Sequence, residues 1–396
     1  MDMEMVDNRQ GLMKMLVKEL GFTEKQVRHV IQLTEEGNTV PFIARYRKEW
    51  TGSLDEVQIR AILERWQYMM QLEDRKEEVL RLIGEKGKLT EELRRHIVAA
   101  TKLQEVEDLY RPYKEKRRTK ATIAKEKGLE PLAEWLLLYK KENPAEKAME
   151  FVNAEKEVAS AEDALQGAQD IIAELVSDNA AYRSWIRNTT FRKGIMSSSV
   201  KDKEKDEKNI YEMYYGYEEP LQKVVPHRVL AMNRGEKEDV LRVSVITPIE
   251  EILQFLHKKM ILDEASKSAH YVQLAMEDGY KRLIQPSIER EIRKELMETA
   301  EEQAIHIFSE NLRNLLLQPP MKGKVVLAVD PAYRTGCKLA VVDDTGKVLH
   351  IDVIYPHPPA RKYEDAKTKI ISIIDKYEVE MIAIGNGTAS RETEDL

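Results

Sequence analysis

The strongest constraint on this chain's fold is an abrupt change of pattern at Gln318-Pro319-Pro320. Before it, apolar residues recur at helical spacing. After it, short apolar runs are separated by turn residues. The helical part opens with Thr23 and Gln26, a capping-box pair, followed by Val27, Val30 and Ile31 on one face, and the helix closes near Gly37-Asn38. Val40 to Arg47 reads as a turn plus a short helix, broken at Thr51-Gly52. Ser53, with Glu56 three residues on, is expected to cap the next helix, which runs to about Lys86. A further helix begins at Thr90 and runs through Leu103, and Arg111-Pro112 is expected to terminate it or the short helix after it, because the residue before proline avoids helical geometry. Further helical windows are Glu130 to Lys141, Ala159 to Thr189, Lys208 to Tyr217, and Glu250 to Leu317 with a break around Gln285-Pro286. Leu241 to Thr247 alternates and reads as a strand or a helix end; Asn143-Pro144 and Met196 to Asp206 read as loops.

Beyond Pro320, Lys324 to Asp330 is a buried strand and Cys337 to Asp343 a second. Asp344-Thr345-Gly346 makes a hairpin turn into a third, Val348 to Tyr355. Arg361 to Tyr377 is helical, Glu380 to Ile384 is a fourth strand, and Ser390 reads as an N-cap. A three-stranded meander followed by a helix and a strand is how ribonuclease H-like domains begin. Such a sheet needs at least one more strand and flanking helices, so a truncated domain with an exposed parallel edge is expected. The expected fold class is mainly α: a multi-helix N-terminal region with a helix-turn-helix-like segment, then an incomplete ribonuclease H-like α/β domain. The expected domains are 1–190, 191–320 and 321–396.

Composition narrows the function. At 396 residues, with 42% hydrophobic and 34% charged residues, the chain has material for two or three cores. No apolar run approaches the roughly 20 residues that span a bilayer, and the acidic, polar first ten residues do not read as a signal peptide. No membrane partner is therefore expected. The one cysteine, Cys337, fits a reducing cytoplasm and excludes a cysteine-based zinc site. A net charge of −7 argues against adhesion to phosphate over the whole surface, so nucleic-acid binding has to come from local patches.

Two such patches stand out. Arg111, Lys114, Lys116, Arg117, Arg118, Lys120, Lys125 and Lys127 face only Glu115 and Glu126, and Tyr110 and Tyr113 lie among them. The cations suit phosphates and the tyrosines suit unpaired bases; the competing reading is a solvated edge paired with acids elsewhere. Arg45, Arg47 and Lys48 form the second patch, beside Phe42 and Tyr46. Its competing reading makes the two rings core and pairs the arginines with Glu49 or Glu56. His227-Arg228 and Arg234-Gly235-Glu236 read as a structural turn with an Arg–Glu pair. Asp330 is the one pointed catalytic candidate, since two-metal phosphodiester cleavage begins from an Asp on such a first strand. The fourth strand, however, ends at Asn386, a weak ligand, and Glu392 and Glu394 lie further on. No metal site and no cofactor are expected.

Six runs in order along the chain resemble the bacterial Tex family of transcription accessory proteins: TVPFIARYRKE from Thr39, VEDLYRPYK from Val106, HRVLAMNRGE from His227, ENLRNLLLQPP from Glu310, DPAYRTGCK from Asp330 and IGNGTASRE from Ile384. The resemblance implies a helical N-terminal region with a helix-turn-helix-like segment and a YqgF-like domain of ribonuclease H-like fold. It also implies a complete protein that continues into helix-hairpin-helix elements and an RNA-binding OB-fold, and an architecture similar to a eukaryotic elongation factor that binds nucleosomes and RNA polymerase. The expected function is a non-enzymatic scaffold binding RNA or DNA, with RNA polymerase or the ribosome as further partners. The rivals are a metal-dependent nuclease using Asp330 and a helical adaptor for a protein.

Overall fold

Capping residues and apolar faces set the order of elements. In the computed structural model, residues 2–115, 117–319 and 322–396 are described, with side chains from Arg9 onward. The chain divides into two units, one up to Ala304 and one from Ile305.

In the first unit, the helices Asp2–Leu20, Glu24–Glu35 and Val40–Tyr46 pack on the early turns of a long helix, Glu56–Glu85. Leu16, Val27, Val30, Ile43, Ile59 and Ile62 fill this core. Thr23 and Gln26 form the expected capping box. Glu24–Glu35 and Val40–Tyr46 make the helix-turn-helix-like pair, joined through Gly37 at φ +86°. Asp55, not Ser53, caps the long helix: its carboxylate accepts from the Gln58 backbone N–H at 2.8 Å, while the Gln58 side chain accepts from Asp55 N–H. Ser53 sits at φ +63°, outside cap geometry.

The later turns of that helix share a second core with Glu91–Ala99 and Leu103–Tyr110. Ala100 to Lys102 turn extended between these two helices, so it is the short second helix that runs up to Arg111-Pro112. A third core, from Ala121 to Ile292, joins residues on both sides of position 190. The window 159–189 is likewise two helices, Ala161–Asp178 and Ala180–Lys193, with the Asn179 side chain capping the second. Asn143-Pro144 starts a helix, Pro144–Met149, rather than forming a loop.

Two expectations fail in the small sheet of this unit. Strand β1 (Ile195–Val200) lies where a loop was expected, and the 208–217 helix is instead a short 3-10 turn, Glu212–Tyr214, leading into β2 (Gly216–Pro220). With β3 (Leu241–Ile246) the order is β2-β1-β3, antiparallel throughout. The free edge of β3 is covered: Val243 N–H donates to Glu236, Val245 N–H to Glu289, and Val243 C=O accepts from Arg293. The residues 227–236, expected as a turn, belong to the helix Pro226–Lys237. Arg228 pairs with Glu219 and Glu236 with Arg293, and among the described residues no ion pair forms within the motif. After Ile249–Met260 and Ser268–Asp278, a π-turn Gly279–Ile284 leads straight into the helix Gln285–Leu316. The break expected at Pro286 lies instead at 261–267. Pro286 is the second residue of Gln285–Leu316, directly after the π-turn.

The second unit follows the sequence expectation closely. Strands β4 (Val326–Asp330), β5 (Cys337–Val342), β6 (Val348–Ile354) and β7 (Met381–Ile384) are ordered β6-β5-β4-β7, with β7 parallel to β4 at the edge. The helix Tyr363–Tyr377 covers one face through Ala366, Ile370 and Ile373. Ser390 is the first residue of the helix Ser390–Glu394; Ala389, at φ +63°, holds the cap position.

Candidate nucleic-acid interface

The basic run is built around the short helix Lys120–Glu126, which Thr119 and Thr122 start by a reciprocal cap at 3.0 and 2.6 Å. Ala121 and Ala124 bury its inner face against the helix Ala161–Asp178. The described cations are thereby left on the flanks and, as Lys114, Arg117 and Arg118, on the irregular stretch before the helix.

Four of them meet acidic residues, near in sequence for Arg118 and Lys125 and distant for Arg111 and Lys127. Arg111 Nε lies 3.4 Å from Asp178, Arg118 3.2 Å from Glu126, and Lys125 3.5 Å from Glu130; Lys127 donates to the Glu157 carbonyl at 2.9 Å. Burial, aided by the like charge of Arg183, lowers the Arg111 pKa against the pull of Asp178, Glu291 and Asp108. Burial raises the Asp170 pKa, against the pull of Lys120 and of Arg282, whose Nη2 is 3.1 Å away. Among the described residues, Lys114 and Arg117 have no carboxylate within 4 Å, and both are exposed. Lys116 lies outside the described residues.

The helix is flanked by two grooves. One, about 290 Å³, is lined by Lys120 and Lys127 with Glu157, Asp163 and Asp170; the other, about 390 Å³, by Lys114 and Lys125 with Glu174 and Asp178. A phosphate inside either groove would meet at least as many carboxylates as lysines. An anion is better served on the exposed rim at Lys114, Arg117, Arg118 and Lys120.

Tyr110 corrects the sequence reading. It is 7% exposed, inside the second core, with the Arg75 guanidinium 5.4 Å from its ring, so it cannot stack on a base. Tyr113 is half-buried, and its carbonyl accepts from Lys86 Nζ at 2.7 Å. The same VEDLYRPYK run supplies Asp108, which is buried and accepts from Arg183 Nε at 3.0 Å and Arg187 Nη2 at 2.8 Å. Glu291 completes the cluster on the other side of both arginines, at 2.7 and 2.8 Å. This ion cluster ties three helices together and fixes the point from which the basic loop departs.

In the second patch the structure departs from the core-packing reading at Tyr46 and agrees with it in pairing Arg45 with Glu56. Tyr46 is 62% exposed rather than core, while Phe42 is half-buried with its ring 5.2 Å away. Arg45 pairs loosely with Glu56, at 3.9 Å with both side chains exposed. The Arg47 guanidinium lies 5.0 Å from the Phe42 ring and donates to the Tyr46 carbonyl. Lys48 is exposed. Trp50, which the sequence did not single out, is 43% exposed.

Asp330 ends β4 with its side chain 76% exposed and Lys338 Nζ 4.0 Å away. Glu392 accepts from the Tyr333 hydroxyl at 2.9 Å, and among the described residues no three His, Cys, Asp or Glu side chains gather as a metal site would require. Cys337 is buried, 3.9 Å from the Thr393 hydroxyl, which also meets His357 Nε2 at 2.8 Å.

A helix-turn-helix-like start and a helical middle carrying one small antiparallel sheet, followed by a ribonuclease H-like strand order, describe a mainly α chain with an α/β unit after it. Residues 10–84 match the Tex-like protein N-terminal domain, 139–308 the Tex central region, and 324–396 the Tex protein YqgF-like domain. The chain belongs to the Tex family. It is 62% identical over 385 residues to the Bacillus subtilis protein YdcI, covering 97% of this chain and 54% of that relative. It is 37% identical over 394 residues to the transcriptional accessory protein Tex of Neisseria gonorrhoeae, covering 98% of this chain and 51% of that one. The human S1 RNA-binding domain-containing protein 1 is 30% identical over 381 residues, covering 92% of this chain and 38% of that one. The chain thus spans about half the length of the bacterial relatives. Among the described residues no helix is long and apolar enough to cross a membrane.

Proposed function

We propose that this chain acts as a non-catalytic, nucleic-acid-binding scaffold within a cytoplasmic transcription accessory protein, with RNA as its ligand. The observation that carries the reading is the exposed rim Lys114, Arg117, Arg118 and Lys120, of which Lys114 and Arg117 have no acidic neighbour within 4 Å among the described residues. Arg45, Arg47 and Lys48 form a second contact. The names of two relatives, one a transcriptional accessory protein and one an S1 RNA-binding domain-containing protein, support the same reading. RNA polymerase or the ribosome is the larger assembly on which such a scaffold would work. The open, lysine-flanked position of Asp330 favours a bracing role for the ribonuclease H-like unit over hydrolysis.

The test is fluorescence anisotropy of the chain with a labelled RNA single strand. Reversing two charges in Arg117→Glu/Arg118→Glu should weaken binding by about tenfold or more at low salt. Unchanged affinity would remove the rim as the contact. Incubation with Mg²⁺ or Mn²⁺ tests the rest: cleavage that disappears in Asp330→Asn would make the protein a nuclease.

A further inference from the structure

Phe42, Tyr46 and Trp50 follow one another at intervals of four residues, through two short helices that meet at Arg47. Such a run would ordinarily bury its rings. Here the outer two stand in solvent, Tyr46 at 62% and Trp50 at 43% exposure. Neither is loose. The Tyr46 ring lies against Phe42, and Phe42 carries the Arg47 guanidinium 5.0 Å from its ring. Trp50 lies 5.3 Å from the His29 ring, and His29 Nδ1 is 2.6 Å from the Trp50 carbonyl. The segment is pinned from below by Ile43, Ala44 and Thr51, all buried. Ordering these two rings on binding therefore costs little conformational entropy, as a pre-formed platform requires.

The charges around the rings indicate what the platform takes. Arg45, Arg47 and Lys48 lie between or beside the rings, against Glu49 in the same segment and Glu56 at 3.9 Å from Arg45. Arg45 and Lys48 are exposed, and Lys48 has no carboxylate within 4 Å among the described residues. Flat apolar faces interleaved with cations match a strand that alternates bases and phosphates. They match a duplex poorly, because its bases are already stacked and its rim shows only phosphate.

We propose that Tyr46 and Trp50 are stacking platforms for unpaired nucleobases, with Arg45 and Lys48 holding the adjoining phosphates, so that this end of the chain selects single-stranded over double-stranded nucleic acid. The inference rests on the nucleic-acid-binding reading above and adds to it the strandedness of the ligand and two residues that read bases. Tyr46 and Trp50 contribute dispersion and π-stacking to any base, so recognition here is indifferent to sequence. The cations contribute the salt dependence.

The experiment uses the whole chain and two probes, a labelled oligo-uridylate of about 12 nucleotides, long enough to fill one single-strand site, and an RNA duplex of equal length. Tyr46→Ala and Trp50→Leu should each weaken the single strand by about tenfold, in keeping with measured base–aromatic stacking, and leave duplex affinity within about twofold. Tyr46→Phe keeps the ring and should bind as the unaltered protein does, which separates stacking from damage to the fold. Thermal unfolding of each variant checks that separation, and Tyr46, being exposed, should change it little. Equal weakening on both probes, or no weakening on the single strand, would overturn the proposal. If the unaltered chain binds neither probe, the broader reading falls with it and the rings are left to a protein partner. If it binds both and only the Arg117 and Arg118 substitutions matter, the broader reading stands and this inference alone fails.

Discussion

Replacing Asp108 by Asn changes one charge and almost no volume, so it isolates the electrostatic role of the buried cluster beneath the basic loop. Asp108 is 4% exposed and Arg183 is fully buried. In the native arrangement two carboxylates, Asp108 and Glu291, face two guanidiniums, Arg183 and Arg187, over four contacts between 2.7 and 3.0 Å. The neutral amide leaves one buried positive charge uncompensated. Breaking a buried pair from one side costs about 3–5 kcal/mol, against about 0–1 kcal/mol for a surface pair. A loss of that size is a large part of the roughly 5–15 kcal/mol by which a folded domain is stable. Urea unfolding followed by tryptophan fluorescence is a suitable assay. Trp185, one of four tryptophans, lies on the same helix as both arginines, stacked on Phe255 at 3.8 Å, so part of the signal comes from that helix. A companion variant with all four charged residues replaced by apolar ones of similar volume should lose less than Asp108→Asn alone, since no charge then remains unpaired. A cost below about 1 kcal/mol for Asp108→Asn would refute the reasoning and reduce the cluster to a surface-like contact.

Burial alone would raise the pKa of Asp206. Bonds from Tyr211 N–H at 2.8 Å, the Tyr215 hydroxyl at 2.9 Å and Ile210 N–H at 2.7 Å outweigh it and hold the carboxyl below its usual range. Its stabilisation is complete above the unfolded value of about 3.9 and is lost as pH falls from there through the lower folded value, so acid unfolding of Asp206→Asn should be shallower than the parent's in that window; parallel curves would contradict this. Gly279→Ala sets a Cβ 2.7 Å from the Ala173 carbonyl oxygen and 3.1 Å from its Cα, and should cost about 1–3 kcal/mol by thermal unfolding, because backbone cannot step aside. Asp55→Ala should cost about 1 kcal/mol as a lost cap. Ser53→Gly, at φ +63°, should be neutral or stabilising; the reverse ranking would restore Ser53 as the cap.

The sequence disclosed the second unit well because its strands are apolar, alternate cleanly and are separated by turn residues such as Asp344-Thr345-Gly346. It misled at β1, where Met196-Ser197-Ser198-Ser199 looks like a polar loop. Ser198 is in fact buried and bonds its hydroxyl to the Tyr214 carbonyl at 2.8 Å, a partnership no local pattern announces. The basic run was legible as charge but not as a site. Asp178 and Glu157, which temper its cations, stand near it only once the helices have packed. The Asp108 cluster escaped notice for the same reason, its arginines lying 75 and 79 residues away in the chain. Exposure of Tyr46 was equally hidden, since an aromatic four residues after Phe42 fits a buried helical stripe just as well.

The most direct test of the central claim is the salt dependence of RNA affinity in the parent chain and in Lys114→Ala/Arg117→Ala. For single strands each phosphate contact contributes about −0.7 to the slope of log affinity against log salt. Removing two contacts should make the slope shallower by about 1.4 and weaken binding at low salt more than at high salt. An affinity indifferent to salt, or a slope that the double substitution leaves unchanged, would contradict a scaffold that holds RNA by this rim.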